Sequence, residues 1–228
     1  MEHPRRRFLG WIGGTSLLGV AGLRPGSLAA PMPSREATEH PAPVADTFDM
    51  SWTDRVTGKY RAVFDSPEPG EGGALFRAVA WCDMYKDVYG TDRREMSPVV
   101  VFRHAGIPMI MGNEYWQRHD VGKQLKMRNE QGKKWATANP ISTGGQSLPD
   151  AQAKYKMETF LAAGGIVLAC GWAFGQIVSN VRKAEGLDGA AARKRAIEMM
   201  VPGVIIQPNG IFAALRAQEA GCHYVLAS

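Results

Sequence analysis

From residue 59 onward, short apolar runs alternate with longer stretches in which apolar side chains recur every three or four positions. Residues 59–65 read as a strand, ended by Ser66-Pro67-Glu68-Pro69-Gly70. Residues 74–89 bring Leu75, Val79, Cys82, Tyr85 and Tyr89 onto one helical face. Residues 98–104 form a continuous apolar run, the pattern of a strand buried on both faces of a parallel sheet. A helix over 150–163 then leads through Gly164-Gly165 into a strand at 166–169. The next helix, 171–184, closes at Gly186, and another starts behind Asp188 as N-cap and stops before Pro202. A strand at 204–207, a helix at 211–219 and a strand at 223–227 complete the chain.

Strands separated by helices require right-handed crossovers, which place helices on both faces of a parallel or mostly parallel sheet. The expectation is a single α/β domain over residues 51–228 with about five strands. One segment breaks the rhythm. Residues 112–149 form a polar insertion rich in Lys, Asn and Gln. A connection of this length serves as a lid, a subunit contact or a mobile loop, and its composition leaves all three open.

The N-terminus changes how the charge is read. Arg5, Arg6 and Arg7 precede Phe8-Leu9, an apolar run from Trp11 to Leu23, and the small-residue pattern Ser27-Leu28-Ala29-Ala30. This is the anatomy of a secretory signal peptide over residues 1–29, and the paired arginines resemble a twin-arginine export signal. The apolar run falls short of the roughly 20 residues needed to span a bilayer. No membrane span is therefore expected after processing, and the expected location is periplasmic. Prolines 31, 33, 41 and 43 mark residues 30–50 as an extended tether. The whole chain carries 27 basic and 22 acidic side chains, a net charge of +5. Without the signal it holds 23 and 21, a net of +2, and residues 114–135 alone contribute +3, which leaves the remainder about neutral. Nucleic-acid binding finds no support, since no basic stripe interleaves with aromatics.

Three cysteines remain for chemistry: Cys82, Cys170 and Cys222. Cys170 ends a strand immediately before Gly171 and a helix. Ligands of open parallel sheets bind outside the carboxyl ends of strands, and the partial positive charge of a helix N-terminus stabilises a thiolate. The alternative is a thiol packed as a small hydrophobe. Cys82 lies on an apolar helix face. Cys222 begins the last strand, at the sheet edge opposite Cys170, too distant for a disulfide. His104 ends its strand at the same edge as Cys170 and is placed to hold a proton or steady a thiolate. Asn209-Gly210, between a strand and a helix, offers backbone N–H groups to an anion or simply makes a turn. Met109, Met111, His119 and His223 add soft ligands, but no metal spacing joins them, and no metal or cofactor is expected.

Several stretches together resemble the DsrE/DsrF-like family of sulfur-relay proteins. They are Gly165-Ile-Val-Leu-Ala-Cys170, then Val201-Pro-Gly-Val-Ile-Ile-Gln-Pro-Asn-Gly210, Ile211 to Leu215, Gln218, and Gly221-Cys-His-Tyr-Val225. Upstream, Val99-Val-Val-Phe-Arg-His104-Ala-Gly106 is similar to the family's second strand. The likeness covers about residues 58–108 and 150–228, with the export signal and the insertion as additions. It implies flavodoxin-like layering, a trimer or hexamer, and Cys170 as a sulfur-carrying position with His104 nearby. Gly171, Asn209 and Gly210 are the expected ligand-binding neighbours. The implied function is binding or relay of sulfane sulfur as a Cys170 persulfide, exchanged with a donor or acceptor protein or a small sulfur species. Such a chain is a sulfurtransferase-like carrier if it turns over. In the insertion, Trp116, Trp135 and the basic side chains would cover the site, bind an anionic sulfur species or form a solvated loop or subunit contact. Two other readings stay open: a non-catalytic periplasmic protein binding a small ligand or metal, and a structural oligomer with an inert Cys170.

Overall fold

The structure, a computed structural model, describes residues 48–129 and 132–228; the expected signal peptide and most of the tether lie outside them. Five apolar segments form strands: β1 (Tyr60–Ser66), β2 (Met96–Phe102), β3 (Ile166–Cys170), β4 (Ile205–Gln207) and β5 (His223–Leu226). They pair in the order β4-β3-β2-β1-β5, every pair parallel. The expected single α/β domain with about five strands is what forms, and the sheet is wholly parallel. The helices are α1 (Gly73–Tyr89), α2 (Asn113–Arg118), α3 (Val121–Gln124), α4 (Asp150–Ala153), α5 (Met157–Ala162), α6 (Gly171–Glu185), α7 (Gly189–Glu198) and α8 (Gly210–Glu219).

Strand order decides which face each helix covers. From β1 to β4 every crossover steps the same way along the sheet, so right-handed connections put their helices on one face. The return from β4 to β5 runs the opposite way and sends α8 to the other face. The alternation of strand side chains follows. Ala62, Phe64, Val100, Phe102, Val167 and Ala169 pack with Leu75, Met157, Phe160, Phe174 and Ile177 from the first set of helices. Val63, Val99, Val101, Ile166 and Leu168 face α8 through Ala213 and Ala217, together with Trp52 and Cys222.

Several local signals hold. Asp188 Oδ1 accepts the Ala191 N–H as N-cap of α7, and Gly186 closes α6 at φ +67°. The expected helix over 150–163 is instead two. The backbone N–H of Met157 donates to Ile141 O at 2.7 Å, and Lys156 is extended, so the chain restarts a helix at Met157. The expected strand 98–104 begins two residues earlier and ends at Phe102, because the chain turns at His104, which at φ +48° enters a 3-10 turn.

Part of the insertion is packed into the core, while residues 132–134 and 144–147 are exposed. Tyr115, Trp116, Val121, Met127 and Ile141 are buried in the main core. Asn139, itself buried, donates from Nδ2 to both Met109 O and Met111 O at 2.7 Å. Trp116 Nε1–H donates to Pro108 O, which removes it from any role as a ligand-facing side chain. Trp135 instead lies under the Arg128 guanidinium, 3.6 Å from ring centre.

Candidate functional site

Where neighbouring strands send their crossovers to opposite faces, a crevice opens at the carboxyl edge of the sheet. Here that happens between β3, which continues into α6, and β4, which continues into α8. Cys170 pairs with Gln207 across this boundary. The two helices therefore diverge from the point where Cys170 and the segment Asn209-Gly210 lie side by side. Close approach there depends on Gly171: a Cβ on it would come 2.6 Å from Gln207 O and 2.9 Å from Pro208 O.

Cys170 serves as N-cap of α6, and its Sγ accepts a hydrogen bond from Ala173 N–H at 3.5 Å. Asn209 caps α8 in the same manner, its Oδ1 accepting the Phe212 N–H at 2.9 Å. Two helix N-termini thus converge on one crevice, one bearing a thiol and the other an amide. Cys170 is only 6% exposed and lines a cavity of about 690 Å³.

Of the expected site residues, Cys170, His104, Asn209 and Gly210 all line this cavity. Gly171 does not line it and acts through the close packing just described. His104 reaches the rim on its left-handed turn, 72% exposed, with Nδ1 3.4 Å from Glu68 Oε1. Its polar partner is thus a carboxylate at the surface, while the hydrogen bond to the thiol comes from α6.

Beneath the rim lies an ion pair that the sequence reading did not single out. Asp65, 2% exposed at the end of β1, accepts from Arg103 Nε and NH2 at 2.8 Å each and from Tyr224 OH at 2.6 Å. Hydrogen bonding to this carboxylate is the main reason the Tyr224 phenol is held above its ordinary pKa, with burial adding to it. The Arg103 chain lies so close over Gly210 that a Cβ there would sit 2.5 Å from Arg103 Cβ. The pair therefore braces the mouth of the cavity across β1, β2, β5 and the start of α8. A charge of each sign closing two apolar strands, Asp65 and Arg103, was the available signal.

The far wall comes from the insertion. Tyr115, Val121, Gln124 and Leu125 face Ala173, Gln176, Ile177 and Asn180 on α6 across the cavity. Asn180 Nδ2 donates to Tyr115 OH at 3.1 Å and closes the end remote from Cys170. Behind that wall, Glu114 is paired with Arg195 and Arg118 with Glu185, which tie α2 to α7 and α6. His119 stacks on Tyr115 with ring centres 4.3 Å apart, and burial lowers its pKa, against an opposing pull from Glu185.

All three cysteines are free thiols. Burial pushes Cys82 up to about 11 and Cys222 up to about 12. Among the described residues no cluster of three or more His, Cys, Asp or Glu side chains is arranged to hold a metal ion, and no helix is long and apolar enough to cross a membrane. The chain matches no family model, and a search of curated proteins finds none significantly similar to it.

Proposed function

We propose that this protein is an exported DsrE/DsrF-like sulfur carrier that accepts sulfane sulfur on Cys170 as a persulfide. The observation that carries the reading is the placement of Cys170: it caps the 15-residue α6 at the switch point of a parallel sheet and lines a cavity of about 690 Å³. The Ala173 N–H donates to the Cys170 sulfur, which serves as the nucleophile in its thiolate form. The thiolate attacks the outer sulfur of a donor R–S–SH, forming Cys170–S–SH as the donor's S–S bond breaks and R–S⁻ leaves. Neither partner needs a cofactor. His104 and Asn209 at the rim are placed to meet the incoming donor.

Self-association, a trimer or hexamer by the same resemblance, is supported by apolar side chains exposed on the edge strand β5 (Tyr224, Val225, Leu226) and on α1 (Met84, Val88, Tyr89). Sheet edges of this kind are ordinarily covered. Light scattering coupled to size exclusion measures the assembly, and cell fractionation tests the periplasmic location.

The persulfide itself is tested by mass spectrometry after incubation with polysulfide. A +32 Da adduct that disappears in Cys170→Ser is expected. No adduct, or one that survives the substitution, leaves the second reading, a binding protein that uses the same cavity without sulfur transfer. The size and apolar lining of that cavity are what favour the second reading.

A further inference from the structure

Resting on the persulfide reading, we infer that the donor is an organic persulfide with an apolar body, which the insertion holds against α6, and not an inorganic sulfur ion. The cavity measures about 690 Å³, room for about twenty waters at ~30 Å³ each. A hydrosulfide or thiosulfate ion would leave most of it empty, and its lining offers such an ion little. Cavities of ~300–1,000 Å³ with apolar walls and few polar groups are built for organic ligands.

The shape gives the ligand a direction. Ala173, Ile177 and Asn180 lie on one face of α6 at successive turns below Cys170 and form one long side of the cavity. At ~1.5 Å rise per residue, the ten-residue step from Cys170 to Asn180 spans about 15 Å. Arg103, His104 and Asn209 sit beside the thiol and the Tyr115–Asn180 pair at the far limit, while Gln124 and Gln176 along the walls already donate to His119 O and Asn180 Oδ1. Between them the walls are Ile107, Val121, Leu125 and Ile177. The Arg103 guanidinium is already held by two hydrogen bonds to Asp65, so it is not a free anion receptor. The sulfane end of the donor meets Cys170, and the apolar body runs down α6 against α3 and Leu125.

The Cys170 thiolate attacks the outer sulfur of R–S–SH, the proton stays on the transferred sulfur, and the inner S–S bond breaks. R–S⁻ takes a proton from water and leaves by the mouth of the cavity. The leaving thiol is therefore the species whose body the walls bind, and it serves as a probe that needs no transfer.

Cys170→Ser in the full chain is titrated with 1-octanethiol and with ethanethiol by calorimetry. A fully buried methylene strengthens binding about fourfold, so with only about half of its six extra methylenes buried 1-octanethiol is expected to bind at least about thirtyfold more tightly. Adding Ala173→Phe, which fills the cavity, or Leu125→Arg, which charges its wall, abolishes that preference while the thermal melt stays cooperative. Equal binding of the two thiols, or a preference that survives both additions in folded protein, overturns the inference. In wild type, octyl persulfide loads Cys170 faster than thiosulfate or polysulfide at equal concentration; equal or slower loading also overturns it. Should no donor load Cys170 while 1-octanethiol still binds the Ser variant, the persulfide reading falls and the organic-ligand cavity stands.

Discussion

Replacing Arg103 with Met tests whether the cavity mouth rests on a buried ion pair. Asp65 is 2% exposed and holds three hydrogen bonds, two of them from Arg103 at 2.8 Å. Arg103→Met leaves the carboxylate buried with Tyr224 OH as its remaining side-chain donor. Removing one partner of a fully buried pair costs about 3–5 kcal/mol. Arg103 is 28% exposed on its side chain, so water reaches part of the gap and the expected loss is about 2–4 kcal/mol. In a domain of this size that lowers the melting temperature by about 4–16 °C. Adding Asp65→Leu removes the stranded charge and keeps the branching of the side chain. Apolar replacements of buried pairs are close to neutral, so the double variant should return to within about 1 kcal/mol of wild type. Urea unfolding with an unchanged slope reads all three proteins. Two results refute the reasoning: an Arg103→Met loss below about 0.5 kcal/mol, or a double variant no more stable than Arg103→Met alone.

Gly171→Ala should destabilise by about 1–3 kcal/mol, since its Cβ meets backbone oxygens of Gln207 and Pro208 that cannot move aside; a helix position free of that clash would gain stability from the change, and a thermal melt tells the two apart. Iodoacetamide at pH 7.5 should label Cys170 before Cys82, although Cys82 is the less buried: with its pKa pushed up to about 11, only about 0.03% of Cys82 is thiolate there. Peptide mapping that finds Cys82 modified first would count against a reactive Cys170. His119 has its pKa lowered from 6.5 by burial. The unfolded chain therefore binds protons that the fold refuses, and stability present above pH 6.5 is lost as pH falls through the lowered value. His119→Phe keeps the stack on Tyr115 and should flatten that acid slope; identical slopes for both proteins between about pH 7 and 5 would contradict it.

The elements that were legible before the structure are those specified by their own residues. Continuous apolar runs mark β2 and β3, Asp188 caps α7 through its own carboxylate, and Gly186 ends α6 in the left-handed conformation that glycine adopts freely. What escaped depends on partners distant in sequence. Met157 bonds to Ile141 and splits a helix that periodicity alone would continue. Asn139 makes a polar insertion part of the core by satisfying two carbonyls thirty and twenty-eight positions away. Cys170, Asn209 and Gly210 were legible at the site because strand ends and helix starts place them. Asp65 and Arg103 were not, since a charge at a strand end reads as a surface residue until the register brings its partner alongside.

The course of the chain explains why the insertion between β2 and β3 can wall a crevice between β3 and β4. Three successive crossovers step in one direction, so the insertion, α6 and α7 all occupy one face, and α2 can reach both helices through Arg118–Glu185 and Glu114–Arg195. α8, sent to the opposite face, meets the crevice only with its first turn, at Asn209-Gly210. The mouth and the body of the cavity are therefore built by different segments. Substitutions at Gly171 or Arg103 act on the mouth and on the sheet edge that carries Cys170. Substitutions at Leu125 or Val121 change what fits the body while leaving the cap on the thiol intact. A sequence that kept the strand ends but shortened the insertion would retain the thiol at its helix N-terminus and lose the enclosure, so its range of ligands would change without its nucleophile.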